Sequence, residues 1–215
     1  MQNVAFAKAL FTLLLVLVVS SCGTISTRDY GASLNTNPNE QGEIPDPSVD
    51  EESRIYIYAT AQPYTGNLGG RVGADAICQS DLPAALDGYE AHAILSYSVN
   101  EKVNDMPETF GLPTTQALYA YGTDAVIASD WNDFLDGTLL LSMEQAGVLS
   151  ANTIYWTGNE TNGSVSQSNC SGFSTSVSSN VGQIGNASRS DVGWTAFQES
   201  ACNVAQRVLC IGFRL

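Results

Sequence analysis

The chain has 215 residues, 44% of them hydrophobic, with 22 acidic against 8 basic side chains and a formal net charge of −14. Seven basic residues lie beyond Cys22, so there is no patch to neutralise phosphates, and nucleic acid, heparin and anionic lipid are all poor partners. The single histidine, His92, excludes histidine-rich zinc sites.

In chain order, the first element is a leader. Lys8 supplies a positive charge, and an uncharged apolar run extends from Ala9 to about Val19. A membrane-spanning helix needs about 20 apolar residues, so this run has instead the length of a signal-peptide core. Val19-Ser20-Ser21-Cys22 resembles the bacterial lipobox, in which the cysteine thiol is lipidated and the cysteine becomes the mature N-terminus. Residues 1–21 are then a lipoprotein signal peptide and Cys22 the lipid-bearing residue, carrying fatty acid such as palmitate. This also accounts for an odd fifth cysteine. Gly23 stands where lipoproteins retained at the inner membrane typically carry Asp, which implies the outer membrane and display at the bacterial surface. Residues 22–53 read as a lipidated, disordered acidic tether. They contain Pro38, Pro45 and Pro47, the acids Glu40, Glu43, Asp46, Asp50, Glu51 and Glu52, and few large apolar residues. Such a segment cannot bury enough surface to offset its chain entropy.

Residues 54–215 have a globular composition, and about 160 residues suit one domain with its own core. Residues 54–60 alternate in Ile and Tyr and read as a strand. A loop at 66–70 leads into a helix that begins at Gly73 and carries Cys78. Residues 91–96 are a second strand. Ser129 and Asp130 are placed to cap a helix through Trp131, Phe134 and Leu135. Residues 154–157 are a strand, 158–169 and 174–190 are polar surface loops, and 207–213 is the closing strand. The first and last strands of the domain are positioned to pair. Four cysteines remain, Cys78, Cys170, Cys202 and Cys210, and spacing alone leaves three pairings open.

Taken together, these residues resemble a known family. Gly70-Arg-Val-Gly73-Ala74-Asp75-Ala-Ile-Cys78 resembles the Gly-x-x-Gly-Ala-Asp-x-x-Cys that opens the first helix of endostatin. Asp130-Trp131 with Phe134 and Gly137, Tyr155-Trp156-Thr-Gly158, Asn169-Cys170, Ser200-Ala-Cys202 and Val208-Leu-Cys-Ile211 follow in the same order as its later motifs. The likeness covers nearly all of 54–213 and, with the lipobox, is closest to the leptospiral endostatin-like outer-membrane lipoproteins. It implies an α+β, C-type-lectin-like fold of mixed antiparallel strands, two helices, long loops and two nested disulfides. It also implies the pairs Cys78–Cys210 and Cys170–Cys202.

The resemblance further implies a surface-exposed, non-enzymatic binding module. The expected ligands are extracellular-matrix proteins such as laminin or fibronectin, or serum proteins such as plasminogen and complement regulators. Lys102 is the one lysine of the mature chain, which argues against plasminogen capture through lysine. The polar loops between Gly158 and Gly193, together with Trp194, are the expected contact surface. Neither cofactor nor metal is expected. Two other readings stand beside this one, a structural envelope lipoprotein without host ligand and a calcium-dependent carbohydrate-binding lectin. Trp131-Asn132-Asp133 matches a lectin calcium triplet in type, but no cysteine follows it for many residues and no proline follows Pro113. His92, flanked by alternating apolar residues, reads as a structural strand position. The sequons at Asn159, Asn162, Asn169 and Asn186 read as exposed loop sequence.

Overall fold

A computed structural model describes residues 54–215; the leader, the tether and Cys22 lie outside the described residues. The closing strand, Arg207–Phe213, organises the domain. Its run Val-Leu-Cys-Ile-Gly-Phe is buried throughout, the pattern of a strand covered on both faces. Numbered in chain order, this is β8. Along one edge it pairs antiparallel with β1 (Ile55–Ala59), in the register Tyr56 opposite Gly212 to Ala59 opposite Leu209. Its other edge is shared: β5 (Ile154–Trp156) lies parallel at Arg207 and Val208, and β2 (Glu90–Ala93) lies antiparallel from Cys210 to Phe213. The first and last strands therefore do pair.

The sheet grows outward from both sides of this centre. β3 (Leu118–Ala120) joins β1 in parallel and β4 (Val126–Ala128) follows it across an irregular register. On the other flank β6 (Val181–Asn186) pairs antiparallel with β5, and β7 (Gln198–Ala201) forms the edge. The result is an eight-stranded mixed sheet within an α+β domain. Strand alternation divides its interior in two. Ile55, Ile57, Leu209, Ile211 and Phe213 join the core around Trp131, Phe134 and Trp194. Tyr58, Val208 and Cys210 face the opposite way, toward Cys78 and Trp156.

Four helices decorate the sheet, where two were expected. α1 spans Gly70–Ser80, starting three residues before the expected Gly73 and following Gly69, which has a left-handed φ of 82°. α3 spans Trp131–Phe134, with the expected cap: the Asp130 carboxylate accepts from the Asn132 and Asp133 amides. The other two, α2 (Met106–Phe110) and α4 (Cys170–Phe173), are single turns. In α4 all four residues have positive φ, Cys170 at 50°, Ser171 at 55°, Gly172 at 68° and Phe173 at 55°. A left-handed turn of this kind strains side chains with a Cβ. Here the Asn169 side chain clamps it, accepting from the Gly172 amide at 3.0 Å and donating to the Tyr97 carbonyl at 3.0 Å.

Part of the expected loop 174–190 is strand β6. Its sequence, Val-Gly-Gln-Ile-Gly-Asn, reads as a turn, but its glycines serve close packing. A Cβ at Gly185 would lie 2.1 Å from the Trp194 carbonyl oxygen and 2.6 Å from the Tyr155 ring. One at Gly182 would lie 2.7 Å from the Cys170 sulfur. The disulfides form as the resemblance implied, Cys78–Cys210 with Cα atoms 5.6 Å apart and Cys170–Cys202 with Cα atoms 5.7 Å apart. The first fastens α1 to β8, and the second fastens the left-handed turn to the end of β7. No helix among the described residues is long and apolar enough to cross a membrane.

Candidate functional site

The Gly-Ala-Asp motif of α1 is a docking device. A Cβ at Gly73 would fall 2.0 Å from the Leu68 carbonyl oxygen, so only glycine permits the entry turn. Ala74 is fully buried. Asp75 reaches across to β2, where one carboxylate oxygen accepts from the Ala93 amide at 2.9 Å and the other lies 3.2 Å from Nδ1 of His92. The His92 ring stacks on Phe110 with centroids 3.7 Å apart. Asp75 and His92 thus clasp α1, β2 and α2 together. Cys78 completes the helix's attachment, and its carbonyl accepts from the Tyr58 hydroxyl at 2.7 Å.

The three tryptophans all lie inside. Trp156 is fully buried, its indole N–H donating to the Tyr64 carbonyl at 2.8 Å. Trp131 is 3% exposed and packs on Phe134 at 5.5 Å. Trp194, expected on a contact surface, is 1% exposed and lies 4.7 Å from the Phe134 ring. Its neighbour Asp191 is the exposed one, ion-paired with Arg189 and accepting from the Gly193 amide. A short turn at Val192–Trp194 drives the indole inward, where it fills the core beneath β6. Trp194 is therefore a core residue, and any ligand contact in this region falls to its exposed neighbours.

The 158–193 region is also more structured than a surface loop. Asn159 is fully buried and donates to the Thr195 hydroxyl at 3.2 Å, while Thr157 donates to the Thr195 carbonyl at 2.6 Å. Of the four sequons, Asn159 and Asn186 are buried, contrary to the expectation of exposed loops, and Asn162 is exposed. What remains open to solvent includes Glu160 to Asn162, Val177 to Ser179 and Arg189 to Val192.

Asp133, the candidate calcium ligand, is occupied by the helix cap, accepting from the Ser129 amide at 2.7 Å. Among the described residues no cluster of three or more histidine, cysteine or acidic side chains could hold a metal ion. Asn132→Ala with Asp133→Ala should lower the melting temperature by only a few degrees, since the loss is that of a helix-terminal hydrogen bond of about 1 kcal/mol. The shift should be the same in calcium and in EDTA. A calcium-dependent stabilisation of several degrees, abolished by the double substitution, would restore the lectin reading.

The feature that sequence reasoning missed is a tyrosine cleft on the far side of β1. Tyr56 and Tyr119 are register partners in the parallel β1–β3 pair. Tyr56 lies at the centre of a cluster, its ring 6.1 Å from Tyr89, 6.3 Å from Tyr119 and 6.2 Å from Tyr121. These are four of the nine tyrosines of the chain. Two cations converge on them. Arg214 sits 4.6 Å over the Tyr89 ring and donates to the Asp87 carbonyl at 2.6 Å. Arg54 sits 4.9 Å over Tyr119, with Asp124 at 3.8 Å. A hydrogen bond from its guanidinium to the Tyr56 side chain holds the Arg54 pKa above its ordinary value. Beside the cluster lies a cleft of about 390 Å³, lined by Tyr56, Leu86, Tyr89, Tyr121, Asp124 and Arg214, with Arg214 and Asp124 the two charged residues of its wall. Aromatic walls with a few polar groups are the usual make-up of a ligand site. The sequence does carry a signal: Leu118-Tyr-Ala-Tyr121 repeats the alternation of Ile55-Tyr-Ile-Tyr58, so each strand shows two tyrosines to one face. Only the parallel pairing brings the two sets together.

No protein-family model matches the chain, and no curated protein matches it.

Proposed function

We propose that this protein is a bacterial outer-membrane lipoprotein, anchored through lipid on Cys22, that displays residues 54–215 at the surface as a non-enzymatic binding module of the endostatin-like, C-type-lectin-like type. Its ligands in this reading are extracellular-matrix or serum proteins. The observation that carries the binding reading is the tyrosine-walled cleft, where aromatic side chains meet the Arg214 guanidinium and the Asp124 carboxylate. The family reading draws support from the motif residues themselves. Gly73, Ala74, Asp75 and Cys78 dock one helix, and the nested disulfides tie that helix and the left-handed turn to the ends of the sheet. A frame so braced holds its loops and cleft in fixed geometry, which lowers the ordering cost of binding.

Anchoring and binding are tested separately. Wild-type cells fed radiolabelled palmitate should label the protein, and surface proteolysis should remove it. Cys22→Ser should abolish the label and leave a soluble or unprocessed chain. Palmitate label that persists in Cys22→Ser would refute the anchor. For binding, the soluble Cys22→Ser chain should bind saturably to at least one immobilised matrix or serum protein, with no turnover of it.

A further inference from the structure

We infer that Asn162 is an N-glycosylation site, its side-chain amide taking an oligosaccharide from a polyprenyl-diphosphate donor. The inference rests on the export reading in the proposed function, because this transfer acts on chains that have left the cytoplasm.

Four asparagines stand in Asn-x-Ser/Thr, at 159, 162, 169 and 186, and the fold sorts them. An acceptor has to present its amide nitrogen to an enzyme, so it must be exposed and that nitrogen must be unengaged. Asn159 is 0% and Asn186 8% exposed. Asn169 is half-buried, and both ends of its carboxamide are taken, one donating to the Tyr97 carbonyl and the other accepting from the Gly172 amide. Its middle residue, Cys170, is also bonded to Cys202. Asn162 alone of the four is exposed.

Asn162 stands at the tip of a tight hairpin. The Glu160 amide donates to the Ser164 carbonyl at 2.8 Å, and the Gly163 amide donates to the Glu160 carbonyl at 3.0 Å. Asn159 and Val165 form an antiparallel bridge at its base. Ser96 Oγ donates to the Gly163 carbonyl at 3.2 Å and pins the inner side of the tip, so the turn carries Glu160, Thr161 and Asn162 outward. The carboxamide oxygen of Asn162 accepts from the Ser164 amide at 3.1 Å and from the Ser164 hydroxyl at 2.7 Å. Both bonds fall on the oxygen, which leaves Nδ2, the attacking atom, without a partner. They also hold the asparagine and the sequon hydroxyl together as one recognisable unit.

Charge selects the same residue. The bacterial form of this transfer favours an acidic side chain two positions before the asparagine. For Asn162 that position is Glu160, which is exposed; for the other three it is Thr157, Gln167 and Ile184. In the reaction Nδ2 attacks the anomeric carbon of the donor glycan. A C–N bond forms as the C–O bond to phosphate breaks. The lipid diphosphate leaves with the electron pair, one Nδ2 proton passes to a base of the transferase, and nothing is oxidised or reduced. The glycan would then cover Glu160 to Asn162, one of the exposed stretches of the 158–193 region.

The test is mass spectrometry of the full chain purified from its own cells, with fragmentation that keeps sugar attached to peptide. Asn162 should carry an oligosaccharide, and Asn159, Asn169 and Asn186 none. Asn162→Gln and Ser164→Ala should abolish it. Ser164→Thr, which keeps the hydroxyl, should retain it and guards against misfolding as the explanation. Glu160→Gln should lower occupancy about tenfold, the effect of losing one charge-assisted contact with the transferase. An unmodified Asn162 would overturn the inference, as would a glycan on another sequon in its place or one that persists in Asn162→Gln. Deamidation of Asn162 to aspartate without sugar would overturn it in favour of ordinary Asn-Gly chemistry. Palmitate labelling of the same cells keeps the two readings apart. Lipid label without glycan removes the site and leaves the anchor, and glycan without lipid label removes the anchor and leaves the site.

Discussion

Replacing Cys78 and Cys210 together by serine should lower the unfolding free energy by about 5 kcal/mol, the largest effect expected of any change in the domain. The bridge closes a loop of 132 residues, and the chain-entropy relation gives about 5 kcal/mol for that length. A domain of this size has a stability of about 5–15 kcal/mol, so the doubly substituted protein should sit near the edge of folding. The loss falls on the centre of the structure, because Cys210 belongs to β8 and Cys78 to the helix that Asp75 docks. Cys170→Ser with Cys202→Ser should cost less. Its separation of 32 residues gives about 3.7 kcal/mol, and release of the left-handed backbone at 170–173 offsets part of that. Urea unfolding of the two double mutants measures the order directly. A larger loss from the 170–202 pair would contradict this account of which bridge carries the fold.

Trp194→Ala should cost about 3–5 kcal/mol, the range for a large aromatic deleted from a packed core. The side chain is 1% exposed, packs at a tilt against Phe134, and belongs to the same cluster as Trp131 and Tyr155. The Tyr155 hydroxyl donates to its carbonyl from beneath, and Gly185 lies against that same oxygen. Val192→Ala, two residues away but 47% exposed, should change stability by less than about 0.5 kcal/mol. Denaturant titration of both separates a core role from a contact role. A loss below about 1 kcal/mol for Trp194→Ala would return that residue to the surface.

The Trp194 correction shows what the sequence could and could not disclose. A tryptophan after a long Ser/Asn/Gly-rich stretch reads as exposed when its surroundings are judged by composition. Its burial depends on Phe134, sixty residues earlier in the chain, and no local pattern reports that contact. Strands β1, β5 and β8 were legible because each places β-branched or aromatic residues in a short run, and α3 was legible from its capping aspartate; the strand expected at 91–96 is β2 at Glu90–Ala93, which ends before the apolar Ile94 and Leu95 that suggested it. β6 was not, because Gly182 and Gly185 carry the composition of a turn while serving as clearance for Cys170, Trp156 and Tyr155. The single turns α2 and α4 are too short to show a helical period. Disulfide pairing came from family likeness, since spacing left three choices. The tyrosine cleft needed the parallel register of β1 and β3, which is a long-range fact.

Binding of matrix and serum proteins to the soluble Cys22→Ser chain, measured by interferometry at 50 and 300 mM salt, tests the central claim most directly. An acidic domain that recognises its ligand through its surface field should show saturable binding at micromolar concentration to at least one of laminin, fibronectin, collagen or a serum protein, and that binding should weaken as salt screens it. No saturable binding to any of them at micromolar concentration would contradict the account and leave a structural envelope lipoprotein in its place.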